Sequence, residues 1–430
     1  MRMENINLKA KIENSLLSSV SLSADIPEYV YNDLSLSNGI SGKIMFNSEM
    51  ILNENLLEED RRRLILQTQD LIVQAFKLAN ASKVSIGLFD GLSGLGAALL
   101  SVLKYDLDYE DVLDDLVQVI SDFVLNDMDY SHYGERFILN KDGYWFDFMS
   151  GTSGIVTFLS SVMLQTNIRN ESIKEAIKKM IDPLTIRKDD SNPPIPFFTL
   201  KKDAIPSLIK EKGYEEIAFL GLAHGVSGIL TALNAVSRLD IDNHSVESTR
   251  KVLSRYLSEL YSSSTMYPEY IVKADRYQDF KRIDDISGSW CYGTLGCLIG
   301  QIPLLTPSSL FERSFRLFSM WPQLFQNSQI MCHGLSGLLY YSVFLQLQWT
   351  SIDAERESSL EQFEFEILNN LALRASTGKQ DLPFWDFRNN EYNYDFGLLT
   401  GTLGVHLSLN AVLTHRRMSQ DWIFGYPVLG

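Results

Sequence analysis

Along this chain a Gly-x-x-Gly step recurs, and each time a run of apolar residues follows it. The copies are Gly39-Ile-Ser-Gly42, Gly91-Leu-Ser-Gly94, Gly151-Thr-Ser-Gly154, Gly225-Val-Ser-Gly228, Gly293-Thr-Leu-Gly296, Gly334-Leu-Ser-Gly337 and Gly401-Thr-Leu-Gly404. They are separated by roughly 40 to 75 residues, room for two helices and their loops. The glycines suit a turn that other residues resist and a close approach where a helix begins. The runs that follow, such as LGAALLSVL after Gly94 and LLYYSVFLQL after Gly337, predict helices without charge on any side. Between copies lie segments with one apolar face, for example 108–127 and 245–261, where apolar residues return at three- and four-residue spacing.

A helix apolar all round, paired with one that has a single apolar face, predicts an inner ring covered by an outer ring. The Gly turns would gather at one end. The expected fold is therefore all-α: an α/α toroid of seven hairpins over residues 1–430, since an open superhelix would leave two unprotected ends. Residues 187–206 break the pattern. Their four prolines, Pro193, Pro194, Pro196 and Pro206, predict a loop or part of a small inserted subdomain.

Composition narrows the class. With 430 residues, 45% hydrophobic and 21% charged, the chain can build a large core. A net charge of −16 speaks against a general nucleic-acid binder, because no basic stripe can replace phosphate counterions. The charge-free stretches 286–311 and 317–352 carry Gly, Pro, Gln, Ser or Asn at intervals that suit a membrane span badly. The N-terminus, MRMENINLKAKIENSLL, has no signal-peptide core, so a cytoplasmic protein is expected. Three cysteines are too few for a disulfide scaffold of this length.

Chemistry is sought next to the repeat glycines, because the turns point toward a common space. Ser289-Trp-Cys291-Tyr292-Gly293 and Met331-Cys332-His333-Gly334 place two thiols and an imidazole on adjacent hairpins, each Cys two residues before a repeat Gly. Such a set predicts a tetrahedral Zn²⁺ site with one position open, which marks a catalytic rather than a structural ion. Two thiolates and a neutral His leave zinc near zero formal charge, poor for activating water. A substrate thiol, with a free pKa of ~8.5, would still ionise on it. Cys297 lies within an apolar helix and is read as core. His224, directly before Gly225, and Asp147, four residues before Gly151, are candidates to move a proton: attack of a thiolate on a conjugated alkene gives an enolate whose α-carbon needs one. Asp90 is read as a turn residue. The Ser of H-G-x-S-G at His224 recurs in five of the seven copies and is read as structural rather than as a nucleophile.

Seven Gly-rich turns with A-H-G, W-C-Y-G and C-H-G in that order resemble the lanthipeptide cyclases, the LanC-like enzymes of class I lantibiotic biosynthesis. The resemblance runs from Leu34 through Gly404. It implies an α/α toroid with an inserted extension domain near 187–206, zinc on Cys291, Cys332 and His333, proton handling by His224 and Asp147, and a role for Tyr292 beside the first zinc Cys. It also implies a reaction: peptide cysteine thiols add to dehydroalanine or dehydrobutyrine of a dehydrated precursor peptide with its leader. A dehydratase and a peptide transporter at the inner face of the cytoplasmic membrane would be partners. One position departs from the pattern. The bacterial cyclases carry an Arg four residues before the first zinc Cys; here Ser287 stands there, with Arg282 the nearest upstream Arg. Two other readings remain open: transfer of a free thiol such as glutathione to dehydrated residues, and a zinc-stabilised toroid that only binds a peptide. A glycosidase would want paired carboxylates; Asp147 and Asp395 do not stand out as such a pair.

Overall fold

The computed structural model describes residues 28–428, except 82, 127–136, 139–144, 186–197, 202–204, 242–243, 263–265, 274–279, 283–286, 326, 349–353, 376–383, 385 and 389–390. Most of the proline-rich stretch 187–206, and the N-terminal segment read for a signal peptide, lie outside the described residues.

Each of the seven expected helices begins one residue after the first Gly of its copy. They are α1 (Ile40–Ile51), α3 (Leu92–Val102), α5 (Thr152–Gln165), α7 (Val226–Val236), α9 (Thr294–Gln301), α11 (Leu335–Gln348) and α13 (Thr402–Thr414). Between them run α2 (Glu58–Ala81), α4 (Glu110–Asn126), α6 (Glu171–Ile181), α8 (His244–Ser262), α10 (Pro307–Ser319) and α12 (Ala354–Ala375). Every residue of α1 and α9 is buried. In α4 only one side is, through Leu113, Leu116, Val117, Ile120 and Phe123, as the three- and four-residue spacing requires. Among the described residues no helix is long and apolar enough to cross a membrane.

The chain divides into two compact units: residues 1–81, 101–108 and 320–419 in one, 82–100, 109–319 and 420–430 in the other. In the first, α13 packs against α11 and α1, while α12 covers α11 and α2 covers α1. In the second, α7 packs between α5 and α9, with α6, α8 and α10 covering α5, α7 and α9 in turn. Both units therefore have an inner layer of Gly-led helices beneath an outer layer of amphipathic ones. Short strands complete them. Val84–Ser85 (β1) pairs in parallel with Phe137–Ile138 (β2). Leu200–Lys201 (β3), Glu216–Phe219 (β4), Tyr270–Lys273 (β5) and Phe280–Arg282 (β6) form an antiparallel sheet in that order, which the sequence did not announce. Asp386–Arg388 (β7) and Glu391–Asn393 (β8) make a hairpin in the first unit.

The glycines act by sterics rather than by backbone angle. Gly39, Gly151, Gly225, Gly293 and Gly401 cap their helices at φ between −101° and −140°, extended backbone that any residue adopts. A Cβ, however, would come within 3.0 Å of the carbonyl oxygen six residues earlier: Phe219 for Gly225, Ser287 for Gly293, Trp290 for Gly296, Leu398 for Gly404. The chain folds back so tightly that only hydrogen fits. In four of the five Gly-x-Ser-Gly copies the Ser hydroxyl donates to the carbonyl seven residues back, as Ser93 does to Ile86 and Ser227 to Leu220, both at 2.6 Å. Those hydroxyls tie the turn to its helix, and Ser227 is fully buried.

One charge sits deep in the first unit. Lys43 on α1 is fully buried with no hydrogen-bond partner on its ammonium, which lies 4.8 Å from the ring centre of Phe46 and 5.5 Å from that of Phe396. Burial pulls its pKa down to about 7. Burial, with Lys43 adding repulsion, takes His406 on α13 down to about 3.

Candidate functional site

Successive Gly turns are laced together by backbone hydrogen bonds, and the candidate residues ride on that lacing. In the second unit Phe89 N donates to Met149 O (2.8 Å), Phe148 N to Ala223 O (2.9 Å), and Ala223 N to Cys291 O (3.1 Å). Asp147, His224 and Cys291 are next to or part of these links. In the first unit Cys332 N donates to Leu399 O (3.1 Å) and Leu398 N to Ser37 O (2.6 Å). Turns bonded in this way hold their side chains at fixed spacing, which a catalytic constellation needs.

The second unit brings four of the expected residues together. His224 Nδ1 lies 2.8 Å from Asp147 Oδ2, and Asp147 has no side-chain exposure. The other Asp147 oxygen accepts the backbone N–H groups of Ser150 (2.9 Å) and Gly151 (2.6 Å), so the residue also closes the turn that leads into α5. A carboxylate that accepts at Nδ1 sets the tautomer and makes Nε2 the ring atom that exchanges protons. The Tyr292 ring packs at a tilt against that of His224, centroids 5.4 Å apart, and against Phe219 at 4.9 Å. Cys291 is buried, and the preceding Trp290 anchors it: its indole Nε1 donates to Phe424 O at 2.8 Å. Ser287, where an Arg was expected, hydrogen-bonds within its own turn, its hydroxyl donating to Ser289 Oγ (2.9 Å) and accepting from Ser289 N (3.1 Å). Asp147 is oriented by the backbone N–H groups of Ser150 and Gly151 in the turn before α5.

The first unit holds the other two expected ligands. Cys332 is buried and His333 partly exposed, with donor atoms within 4.8 Å of each other. His333 Nε2 lies 3.0 Å from Oδ2 of Asp386, itself 4% exposed. Asp386 went unnoticed in the sequence. It follows His333 by 53 residues, stands in a three-residue strand, and is one of 54 acidic residues. Its only trace is a short run of alternating aromatic and polar positions.

The remaining candidates have other work. Asp90 accepts the Ser85 hydroxyl at 3.0 Å and Asp395 the Thr400 hydroxyl at 2.6 Å, both within their own turns. Cys297 sits inside α9, where its thiol donates to Leu220 O at 3.3 Å and burial pushes its pKa up to about 12. It is a core residue.

The chain is similar to known proteins in sequence and in fold. The family model described as Lanthionine synthetase C-like protein matches residues 30–424. The Nisin biosynthesis protein NisC of Lactococcus lactis subsp. lactis is 24% identical over 364 residues, covering 81% of this chain and 82% of that protein. The solved structure of Nisin cyclase superposes with a TM-score of 0.69 at 19% identity, covering 97% of this chain and 98% of that one. That likeness shows the fold class expected from the repeat, all-α and of the α/α toroid kind.

Proposed function

The chain belongs to the lanthionine synthetase C-like family, and on that premise we propose that it is a zinc-dependent peptide cyclase. It adds cysteine thiols of a dehydrated precursor peptide to dehydroalanine and dehydrobutyrine, giving the lanthionine and methyllanthionine rings of lantibiotic biosynthesis. The named activity of its relative, nisin biosynthesis, supports this substrate class.

Cys291, Cys332 and His333 would hold the zinc. Thiolate and imidazole are the donors that zinc takes in tetrahedral sites. Both thiols are buried, and the Cys332 and His333 donors are near enough to share one ion. An imidazole held at its far nitrogen by a carboxylate is also the usual partnering of a ligating His. When bound, zinc would lower the pKa of an incoming thiol and keep its electron density on sulfur.

The protein's own residues then handle the proton. The addition forms one C–S bond at the β-carbon and one C–H bond at the α-carbon; the thiol proton leaves early and one proton arrives late, so none is consumed overall. His224 holds that proton at Nε2. Asp147 fixes the ring through Nδ1, while Tyr292 limits ring rotation by packing against it. The observation that carries this reading is the His224–Asp147 pair standing on the same laced turns as the buried Cys291.

The test incubates the chain with a dehydrated, cysteine-containing precursor. Ring closure leaves the peptide mass unchanged and removes alkylatable thiols, and His224→Ala abolishes that change. Thiols that stay alkylatable with the zinc-loaded wild type defeat the proposal, and a mass gain of one glutathione per site when that thiol is added would favour intermolecular transfer.

A further inference from the structure

Asp386 belongs to no repeat and no motif, yet it is the residue bonded to His333. Three observations set it apart. Its carboxylate is buried, and a buried carboxylate is retained only with a partner. Its Oδ2 lies 3.0 Å from His333 Nε2. Its backbone bridges Ser328, and Ser328 O in turn accepts Leu335 N (3.1 Å), so strand β7 is fastened to both ends of the turn that carries Cys332 and His333. Carboxylate and imidazole are thereby fixed to the same frame.

We propose that Asp386 is a positioning residue for the metal site: it accepts the Nε2 proton of His333 and so fixes the tautomer and ring angle that present Nδ1 to zinc. A carboxylate only accepts at this position, so Nε2 carries the hydrogen and the Nδ1 lone pair lies in the ring plane, available to the ion. The same bond makes the imidazole a stronger donor. This inference rests on the zinc reading above, and it assigns Asp386 no contact with substrate.

The experiment titrates metal-free wild type, Asp386→Asn and Asp386→Ala with zinc against a chromophoric chelator, and records the Co²⁺ spectrum of each. Melting temperatures of the metal-free proteins are measured alongside. Loss of an outer carboxylate partner weakens metal binding by about 10- to 100-fold, so Asp386→Ala is expected in that range with shifted Co²⁺ bands. Asp386→Asn, whose amide oxygen still accepts, is expected between the two. If Asp386 merely anchors β7, the metal-free protein melts lower while zinc affinity and the Co²⁺ spectrum stay those of wild type, and that result overturns the proposal. Should the Ala variant not fold, the Asn variant decides alone, and wild-type affinity in it counts against the role. Wild type that takes up no zinc is a different failure: it removes the metal reading and this inference with it.

Discussion

Asp147 divides its two oxygens between two tasks: Oδ2 meets His224 Nδ1 at 2.8 Å, and Oδ1 accepts the N–H groups of Ser150 and Gly151 in the turn that leads into α5. One buried side chain thus couples the turn before a helix to the orientation of the His224 ring.

Asp147→Asn and Asp147→Ala should separate those tasks. Asn keeps an oxygen for the turn's N–H groups but offers an N–H to His224, reversing the tautomer. Cyclisation kcat is expected to fall on the order of 10²- to 10⁴-fold, with the melting temperature close to wild type. Ala should lose the same activity and about 1–3 kcal/mol of stability besides, the cost of leaving the turn's N–H groups without their acceptor. Rates of thiol loss and denaturant midpoints check both; an Asn variant at full speed contradicts the coupling.

Gly296→Ala places a Cβ against the backbone carbonyl of Trp290 and the backbone N of Leu222, neither of which can swing aside as a side chain would. About 1–3 kcal/mol or more should be lost in urea unfolding, on the overpacking scale. A neutral result would mean that the second repeat Gly is not dictated by close approach.

Lys43→Met makes stability less dependent on pH. The folded chain releases the Lys43 proton near pH 7, whereas the unfolded chain keeps it to ~10.4. Unfolded protein therefore binds more protons between those values, wild-type stability rises with pH across that window, and the burial penalty is fully present below it. The variant should gain about 1–4 kcal/mol at pH 7, and the gain should shrink toward pH 10. Denaturation at a series of pH values reads it out. A variant less stable than wild type at pH 7 would show that Lys43 has a stabilising partner.

Cys297 should resist alkylation in the native protein, since burial and its bond to Leu220 O hold it as a thiol. Cys297→Ala should retain zinc. Mass spectrometry after a short iodoacetamide exposure distinguishes it, and modification at the rate of a free peptide thiol would place it outside the core.

The helices were legible because the repeat marks them twice, by glycine and by the change from one-sided to all-round apolarity. The segment 108–127 became Glu110–Asn126 and 245–261 became His244–Ser262. The proximity of Asp147, His224 and Cys291 was legible for a related reason: each stands beside a repeat glycine, and within the second unit those turns are bonded to one another. Three things were hidden. The role of the first Gly looked conformational, but its φ is ordinary and the constraint is a carbonyl six residues away. The sheet of β3 to β6 consists of strands of four residues or fewer, too short for an alternation signal. Asp386 reaches His333 through a long-range pairing that no local pattern encodes.

Elemental analysis of the purified chain beside its Cys291→Ala and Cys332→Ala variants tests the central claim most directly. About one zinc per wild-type chain is expected, with each substitution reducing it to a small fraction while helix content by circular dichroism is kept. Wild type without zinc, or variants that retain it fully, would contradict the account.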